Sequence, residues 1–294
     1  MDKEYNLSFI VCTKNRLPYL KILVEHFLNK IGEDEEIVIV DGGSTDGSKE
    51  YLESLLNEGL IHQFISESDR NQAHGWNKAL LMAKGKLIKK IIDDDVFCYE
   101  SISKCKQYLL GNPLVDVLIS NDLTSSFYDH EKIQKQNHLS EFEKWAKGLI
   151  PSFVFSDVHM LLRKNSIPFL GLYNTEFVNM DWEYSLRISY LKANIALYTG
   201  YNALSVYHDD TVTSMRNEQL IRAQGERGKV FYEYKDDLPL WSKVKISLGK
   251  LLSSSDQKAA RADNGELASV YNYYYEYISE LNKANEFTFY SSEK

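Results

Sequence analysis

Apolar and polar positions along this chain fall into two rhythms. Short apolar runs at Leu7–Cys12, Glu36–Val40, Leu60–Ser66, Leu87–Ile92 and Val115–Ser120 predict strands. Between them, Leu17–Leu28, Asp46–Leu56, Gln72–Ala83 and Ser101–Leu110 carry apolar residues at helical spacing. Strands and helices in this alternation imply crossover connections and a mostly parallel central sheet with helices on both faces, an α/β architecture. Residues from Asp122 to Pro151 are rich in charge and poor in periodicity, and read as a variable loop region. Phe153–Arg163 and Ile195–Tyr198 read as further strands and Asp181–Leu191 as a helix. Beyond about Asn217 the pattern turns helix-rich. Leu238–Leu252 spaces Val244, Leu248, Leu251 and Leu252 helically, with Trp241 near that stripe and Lys243, Lys245 and Lys250 between. The expected organisation is one large domain over 1–216 and a helical extension over 217–294.

In open α/β sheets, ligands bind beyond the C-terminal ends of the strands. Polar residues sit at four such ends: Thr13 after the first strand; Asp41, Gly42, Gly43 and Ser44 after the second; Ser68 and Asp69 after the third; and Asp93, Asp94 and Asp95 after the fourth. One pocket built by all four is the natural expectation.

Composition narrows the chemistry. The 294 residues are 44% hydrophobic, enough for a large core, and carry a net charge of -8. No cluster of Lys and Arg exists to neutralise a nucleic-acid backbone, so no nucleic-acid partner is expected. An acidic protein that holds a phosphorylated ligand needs a metal or backbone amides as the positive partner. The start, MDKEYNLSFIVC, lacks the basic, apolar build of a signal peptide, and no apolar run approaches the roughly 20 residues of a membrane span. Cys12, Cys98 and Cys105 form no CxxC pair, which disfavours a disulfide framework and structural zinc and suits a reducing cytoplasm.

Three adjacent carboxylates after the apolar run LIKKII repel one another unless a counter-charge holds them. A hard divalent cation, Mn²⁺ or Mg²⁺, suits oxygen ligands of this kind. On an extended backbone Asp93 and Asp95 project to one side. Taken alone, the triplet reads better as a solvated acidic turn or a cap for the next helix. The segment IVIVDGGSTDGSKEYL offers close backbone approach at Gly42 and Gly43 and capping groups at Ser44 or Asp46. It has neither GxGxxG nor GxxxxGK[ST] spacing.

Five segments in order change that weighting. FIVCTKNR, IVDGGSTDGS, SESDRNQAHGWNKALLMAKGKLI, IIDDDVF and NMDWEYSLRI, spread over roughly residues 7–192, resemble the family 2 glycosyltransferases of GT-A fold. The resemblance implies an inverting, metal-assisted transfer from a nucleotide-diphospho-sugar, commonly a UDP-sugar, to a hydroxyl of a glycan or lipid-linked glycan. It implies that Thr13 and Asp41 meet the base, that Asn15, Gly43, Ser44, Asp69, Asn77, Asp93 and Asp94 serve the nucleotide, and that Asp93, Asp95 and His208 hold the metal. Asp95 is the principal metal ligand of that set, and Asp94 shapes the turn. Asp181 is the implied general base, with Glu183 as its substitute; an N-cap at Asp181 is the structural alternative. The chain departs from the family pattern at Cys12, Lys14 and Met180, the last where an acid is usual. On this reading residues 1–122 form the nucleotide-sugar half and 123–216 the acceptor half. Lys78, Arg70 and Arg216 are further candidates for the diphosphate.

Two other readings stay open at this level. Met180 keeps alive a catalytically silent sugar-binding or assembly protein. A sugar-1-phosphate nucleotidyltransferase is disfavoured because FIVCTKNRLPYL lacks a glycine-rich loop. The helical extension suggests either packing, including a homo-oligomer, or peripheral membrane contact through Trp241 and its lysines.

Overall fold

The computed structural model describes residues 3–27, 30–208, 218–235 and 264–292. Twelve strands are described: β1 Leu7–Thr13, β2 Glu35–Asp41, β3 Gln63–Ser66, β4 Leu87–Ile91, β5 Val96–Phe97, β6 Val117–Ser120, β7 Asp122–Ser126, β8 Asp129–Gln136, β9 Met160–Arg163, β10 Ile195–Tyr198, β11 Ala203–Tyr207 and β12 Phe289–Ser291. The described helices are α1 Leu17–Phe27, α2 Ser48–Asn57, α3 Gln72–Met82, α4 Tyr99–Gly111, α5 Leu139–Ala146, α6 Ile167–Leu170, α7 Met180–Tyr190, α8 Glu218–Phe231 and α9 Asn264–Ala284.

Eight strands make the main sheet in the order β12-β10-β6-β9-β4-β1-β2-β3, and four make a second sheet in the order β5-β11-β7-β8. β1 pairs in parallel with β2 and β4, and the register sets the site. Thr13 lies beside Asp41, and Val11 lies beside Ile91, so Thr13 is level with Asp93 two residues beyond β4. Uninterrupted apolar strands belong in a sheet covered on both faces. Here one face packs Ile10, Val38, Trp76, Ile119 and Tyr184, and the other packs Phe9, Phe27, Ile39, Ile102 and Leu118.

The alternating part of the chain folds as its pattern predicts, and the sheet is mixed α/β with helices on both faces. Two segments differ. The expected loop over Asp122–Pro151 contains β7, β8 and α5. β8, DHEKIQKQ, is an exposed edge strand whose sole large apolar residue is Ile133, so no alternation announces it. The expected strand over Phe153–Arg163 is only β9, because a 3-10 turn over Asp157–His159 redirects the chain. That turn delivers β9 antiparallel to both β4 and β6.

A third core lies between the small sheet and α9. Leu267, Val270, Tyr271, Tyr274 and Ile278 of α9 pack with Ile22, Val96, Leu123 and Leu204. Asn282 ties the far end of the helix to both backbone groups of Tyr201. Leu238–Leu252, with Trp241 and its lysines, lies outside the described residues, as does Arg216.

Candidate functional site

A cleft of about 650 Å³ opens where the C-terminal ends of β1, β2 and β4 meet the first turn of α7 and the end of β11. Of the residues expected from sequence, it gathers Thr13, Gly42, Asp69, Arg70, Asp93, Asp94, Asp95 and Asp181. Its wall also includes Arg16, Lys90, Asp157, Trp182 and Tyr207.

The triplet does not continue as a strand. The Asp95 backbone N–H donates to the Ile92 carbonyl at 3.2 Å, closing a turn, so the alternate-side rule for extended chain does not apply. All three carboxylates are buried, each with its own partner. Thr13 Oγ1 donates to Asp93 Oδ2 at 2.6 Å. Asp94 Oδ2 lies 2.7 Å from both Arg16 Nη1 and His208 Nε2. Asp95 Oδ1 accepts the Val206 backbone N–H at 2.8 Å. Asp94 is therefore the charge-paired member, where sequence gave it only a turn-shaping and nucleotide role beside Asp95.

Protonation follows those partners. Burial, then the Asp94 charge, pushes Asp93 up to about 7 and Asp95 well above the carboxylate range. Burial would raise Asp94 too, but His208 and Arg16 outweigh it and hold its carboxyl low. Among the described residues, Asp93 and Asp95 form no ion pair with a cationic side chain, and no three His, Cys, Asp or Glu side chains converge on one metal position. The expected set Asp93, Asp95 and His208 is thus not gathered, because His208 sits on Asp94. The chemistry of the donors still fits a hard dication: two buried carboxylates face the cleft short of positive charge.

Asp41, Asn15, Gly43 and Ser44, expected at the nucleotide, hold the loops at the β1 and β2 ends. Asp41 is fully buried; its oxygens accept from Ser44 N–H at 3.0 Å, Ser66 Oγ at 2.6 Å, and Ser44 Oγ. Asn15, at a positive φ of 54°, accepts the Thr45 N–H on its side chain at 2.8 Å, and its own N–H donates to Ser44 Oγ. Gly43, at φ 80°, turns that loop without the strain a side chain would meet. These four link the β1 and β2 ends and are not on the cleft wall. Asn77 grips the Tyr173 backbone with both amide atoms, away from the cleft. Lys78 holds Asp69 and Glu67, each at 2.7 Å, and so orients Asp69 at the wall.

Asp181 stands in the first turn of α7, whose N-cap position is Asn179. Burial raises its carboxyl, the Asp157 charge raises it further, and Lys90 and the helix-start N–H groups oppose that. Met180, beside it, is packed in the core. Glu183 is buried away from the cleft, paired to Arg187 at 2.9 Å and accepting from Tyr232 Oη.

Sequence reading passed over Arg16, Lys90 and Asp157. Lys90 Nζ lies 2.7 and 2.9 Å from the two Asp157 oxygens, Tyr173 Oη donates to the same carboxylate at 2.7 Å, and the ammonium sits 4.5 Å from the Trp76 ring centroid. The available signal was charge inside apolar runs: LIKKII and FVFSDVHM each need buried partners.

The profile described as Glycosyl transferase family 2 matches residues 8–170. A Campylobacter jejuni GalNAc(5)-diNAcBac-PP-undecaprenol beta-1,3-glucosyltransferase is 23% identical over 219 residues, covering 70% of this chain and 67% of that protein. Glycosyltransferase GlyG of Streptococcus pneumoniae is 29% identical over 116 residues; the match spans 39% of this chain and only 38% of that relative. Among solved structures, S. aureus TarS 1-349 in complex with UDP-GlcNAc aligns with a TM-score of 0.62 at 17% identity, over 84% of this chain and 71% of that one. A Pyrobaculum calidifontis mannosyltransferase in complex with GDP-Man and Mn²⁺ aligns at 0.54 and 13% identity, over 96% and 87%. At these identities the structural likeness speaks for the fold, which is of GT-A type. With more than half of its residues inside the family profile, the chain belongs to glycosyl transferase family 2.

Proposed function

We propose that this chain transfers a sugar, with inversion, from a UDP-sugar to a hydroxyl of a glycan or lipid-linked glycan, assisted by a divalent cation. The observation that carries this is one cleft holding two carboxylates short of counter-charge and, across from them, Asp181 with its protonation raised. The UDP-GlcNAc complex of a structural neighbour and the undecaprenol-linked substrate in the name of the Campylobacter relative support the donor and acceptor classes.

Asp93 and Asp95 would hold Mn²⁺ or Mg²⁺, and His208 joins them only by parting from Asp94. When bound, the ion supplies Lewis-acid charge for the leaving diphosphate. Arg16, on the cleft wall beside Asp94, offers a second cationic group to the phosphates. Thr13 and Gly42 bound the side where the base and ribose fit, with Asp41, Asn15, Gly43 and Ser44 fixing that loop from behind. Asp181 takes the proton of the acceptor hydroxyl as it attacks the anomeric carbon, a role for which a raised carboxyl is suited. Trp182 and the exposed Tyr207 give the acceptor side apolar faces.

The test pairs binding with turnover. A nucleotide-sugar panel with Mn²⁺ is screened by thermal shift, since ligand held by the folded state raises the melting temperature. The best donor is then followed by nucleotide release from wild type and Asp181→Asn. We expect Asp181→Asn to keep the thermal shift and lose at least about 10²-fold in turnover. Loss of the shift as well would make Asp181 a structural residue of α7. A peripheral membrane contact or an oligomer would involve residues 217–294, where Trp241 and three lysines supply the interfacial residue types.

A further inference from the structure

We propose that α9, which lies outside the family-matched residues, is a working part of the site, and that Tyr271 is a positioning residue for the acidic turn, tightening its hold on cation and nucleotide. This rests on the reading of Asp93–Asp95 as the cation-bearing turn of a nucleotide-sugar site.

Tyr271 is 1% exposed, and its hydroxyl donates to the Asp94 main-chain carbonyl at 2.5 Å. Its ring meets Tyr19 edge-on, with centroids 6.0 Å apart. Tyr19 in turn stacks on His208 at 5.2 Å and 16°, and the Arg16 guanidinium lies 5.3 Å from the same ring. Those two side chains are the ones that hold the Asp94 carboxylate. Asp94 is thus fixed twice, by its carbonyl from α9 and by its side chain from the β1–α1 loop and the end of β11. Fixing the carbonyl of the middle residue fixes the peptide plane leading to Asp95. Fixing the side chain sets the other half of the same residue, next to Asp93. β5, which starts one residue after Asp95, packs under the same helix through Val96.

A polar bond from a distant helix to this one carbonyl does more than fasten the helix. Tyr274, one turn along the same face, already fastens it to the small sheet, donating to the Ser126 carbonyl at 3.0 Å with Ser125 Oγ at 3.1 Å. The two tyrosines therefore separate anchoring from positioning. Each loses a hydroxyl on change to Phe and keeps its ring, but only Tyr271 touches the turn.

The experiment compares wild type, Tyr271→Phe and Tyr274→Phe. Free Mn²⁺ is followed by electron paramagnetic resonance as protein is added, and UDP affinity is measured by calorimetry with and without Mn²⁺. Thermal unfolding without ligands checks folding. Expected is a loss of about tenfold in Mn²⁺-dependent UDP affinity for Tyr271→Phe, and a change within about twofold for Tyr274→Phe, at similar unfolding temperatures. Equal binding by the two variants, whether both unchanged or both weakened, overturns the positioning role while leaving the nucleotide-sugar reading intact. Failure of wild type to take up Mn²⁺ and UDP removes that reading and this proposal together.

Discussion

Lys89 and Lys90 are neighbours on β4 and serve opposite faces of the main sheet. Lys90 reaches Asp157 at the cleft, whereas Lys89 reaches the Val158 carbonyl and Asn202 on the other side. Burial brings Lys89 down to about 7. Near it lies a second buried polar group the mechanism does not use, in which Asp122 faces His138 at 3.1 Å and His159 at 3.7 Å. Burial would lower His138, but Asp122 outweighs it and raises the imidazole. His159 goes the other way, held by burial down to about 4. A folded value below the ordinary 6.5 means that neutral His159 favours folding above pH 6.5, and that this stability drains as pH falls toward 4. The drop is on the order of 3 kcal/mol. His138, raised by its partner, contributes below 6.5 and loses that contribution as pH climbs through its folded value. We expect His159→Leu to flatten the fall of unfolding midpoint between pH 6.5 and 4, seen in urea titrations across pH; a curve parallel to wild type refutes the assignment. At this scale the acidic residues of the cleft were legible, because carboxylates at strand ends stand out. Asp157 and Lys90 were not, because a pair joined by the fold lies 67 residues apart in the chain and neither member belongs to a motif.

At the scale of elements, periodicity found β1 to β4 and α1 to α4 because each buries an apolar stripe. It missed β8, since an edge strand is held by backbone pairing and needs no apolar pattern, and it missed the interior β7, DLTSS, and the two-turn α5, which are too short and polar to show a period. The connections are equally exacting. Between α3 and β4 the chain passes so close to β1 that a Cβ on Gly85 would lie 2.6 Å from the Ser8 backbone nitrogen. The Gly85 N–H donates to Ser8 Oγ at 2.7 Å, and the buried Glu36 gathers Ser8 Oγ at 2.6 Å and Gln63 Nε2 at 2.9 Å around that turn. Backbone cannot move aside as a side chain can. Gly85→Ala should cost about 1–3 kcal/mol, as overpacking generally does. The turn sits at the N-terminal ends of the strands, opposite the cleft, so the nucleotide dissociation constant should hold. Chemical denaturation beside nucleotide titration checks both halves; unchanged stability would mean the turn relaxes freely.

For the whole molecule, α9 and β12 close two separate surfaces. α9 covers the small sheet, and β12 pairs antiparallel with β10 at the end of the main sheet. A chain cut before Asn264 would leave Val96, Leu123, Leu204 and Ile22 facing water, and the β10 edge open. We expect that truncation to bind a hydrophobic dye and lose its cooperative thermal transition. A sharp transition near the wild-type temperature would instead make residues 264–292 a dispensable appendage. No helix among the described residues is long and apolar enough to cross a membrane.

The reversed strand β9 has a consequence for the order of assembly. Among the described residues it alone bridges β4 and β6, which do not pair with each other in the sheet. During synthesis, β1 to β4 can pair as soon as they emerge, but β4 keeps an open edge until residues 160–163 arrive. β6, made some 40 residues earlier, has no sheet to join until then. The chain therefore waits, with two strand edges exposed, for one four-residue strand of low local signal. That interval is when the nascent protein is most open to wrong pairing with a second copy of itself.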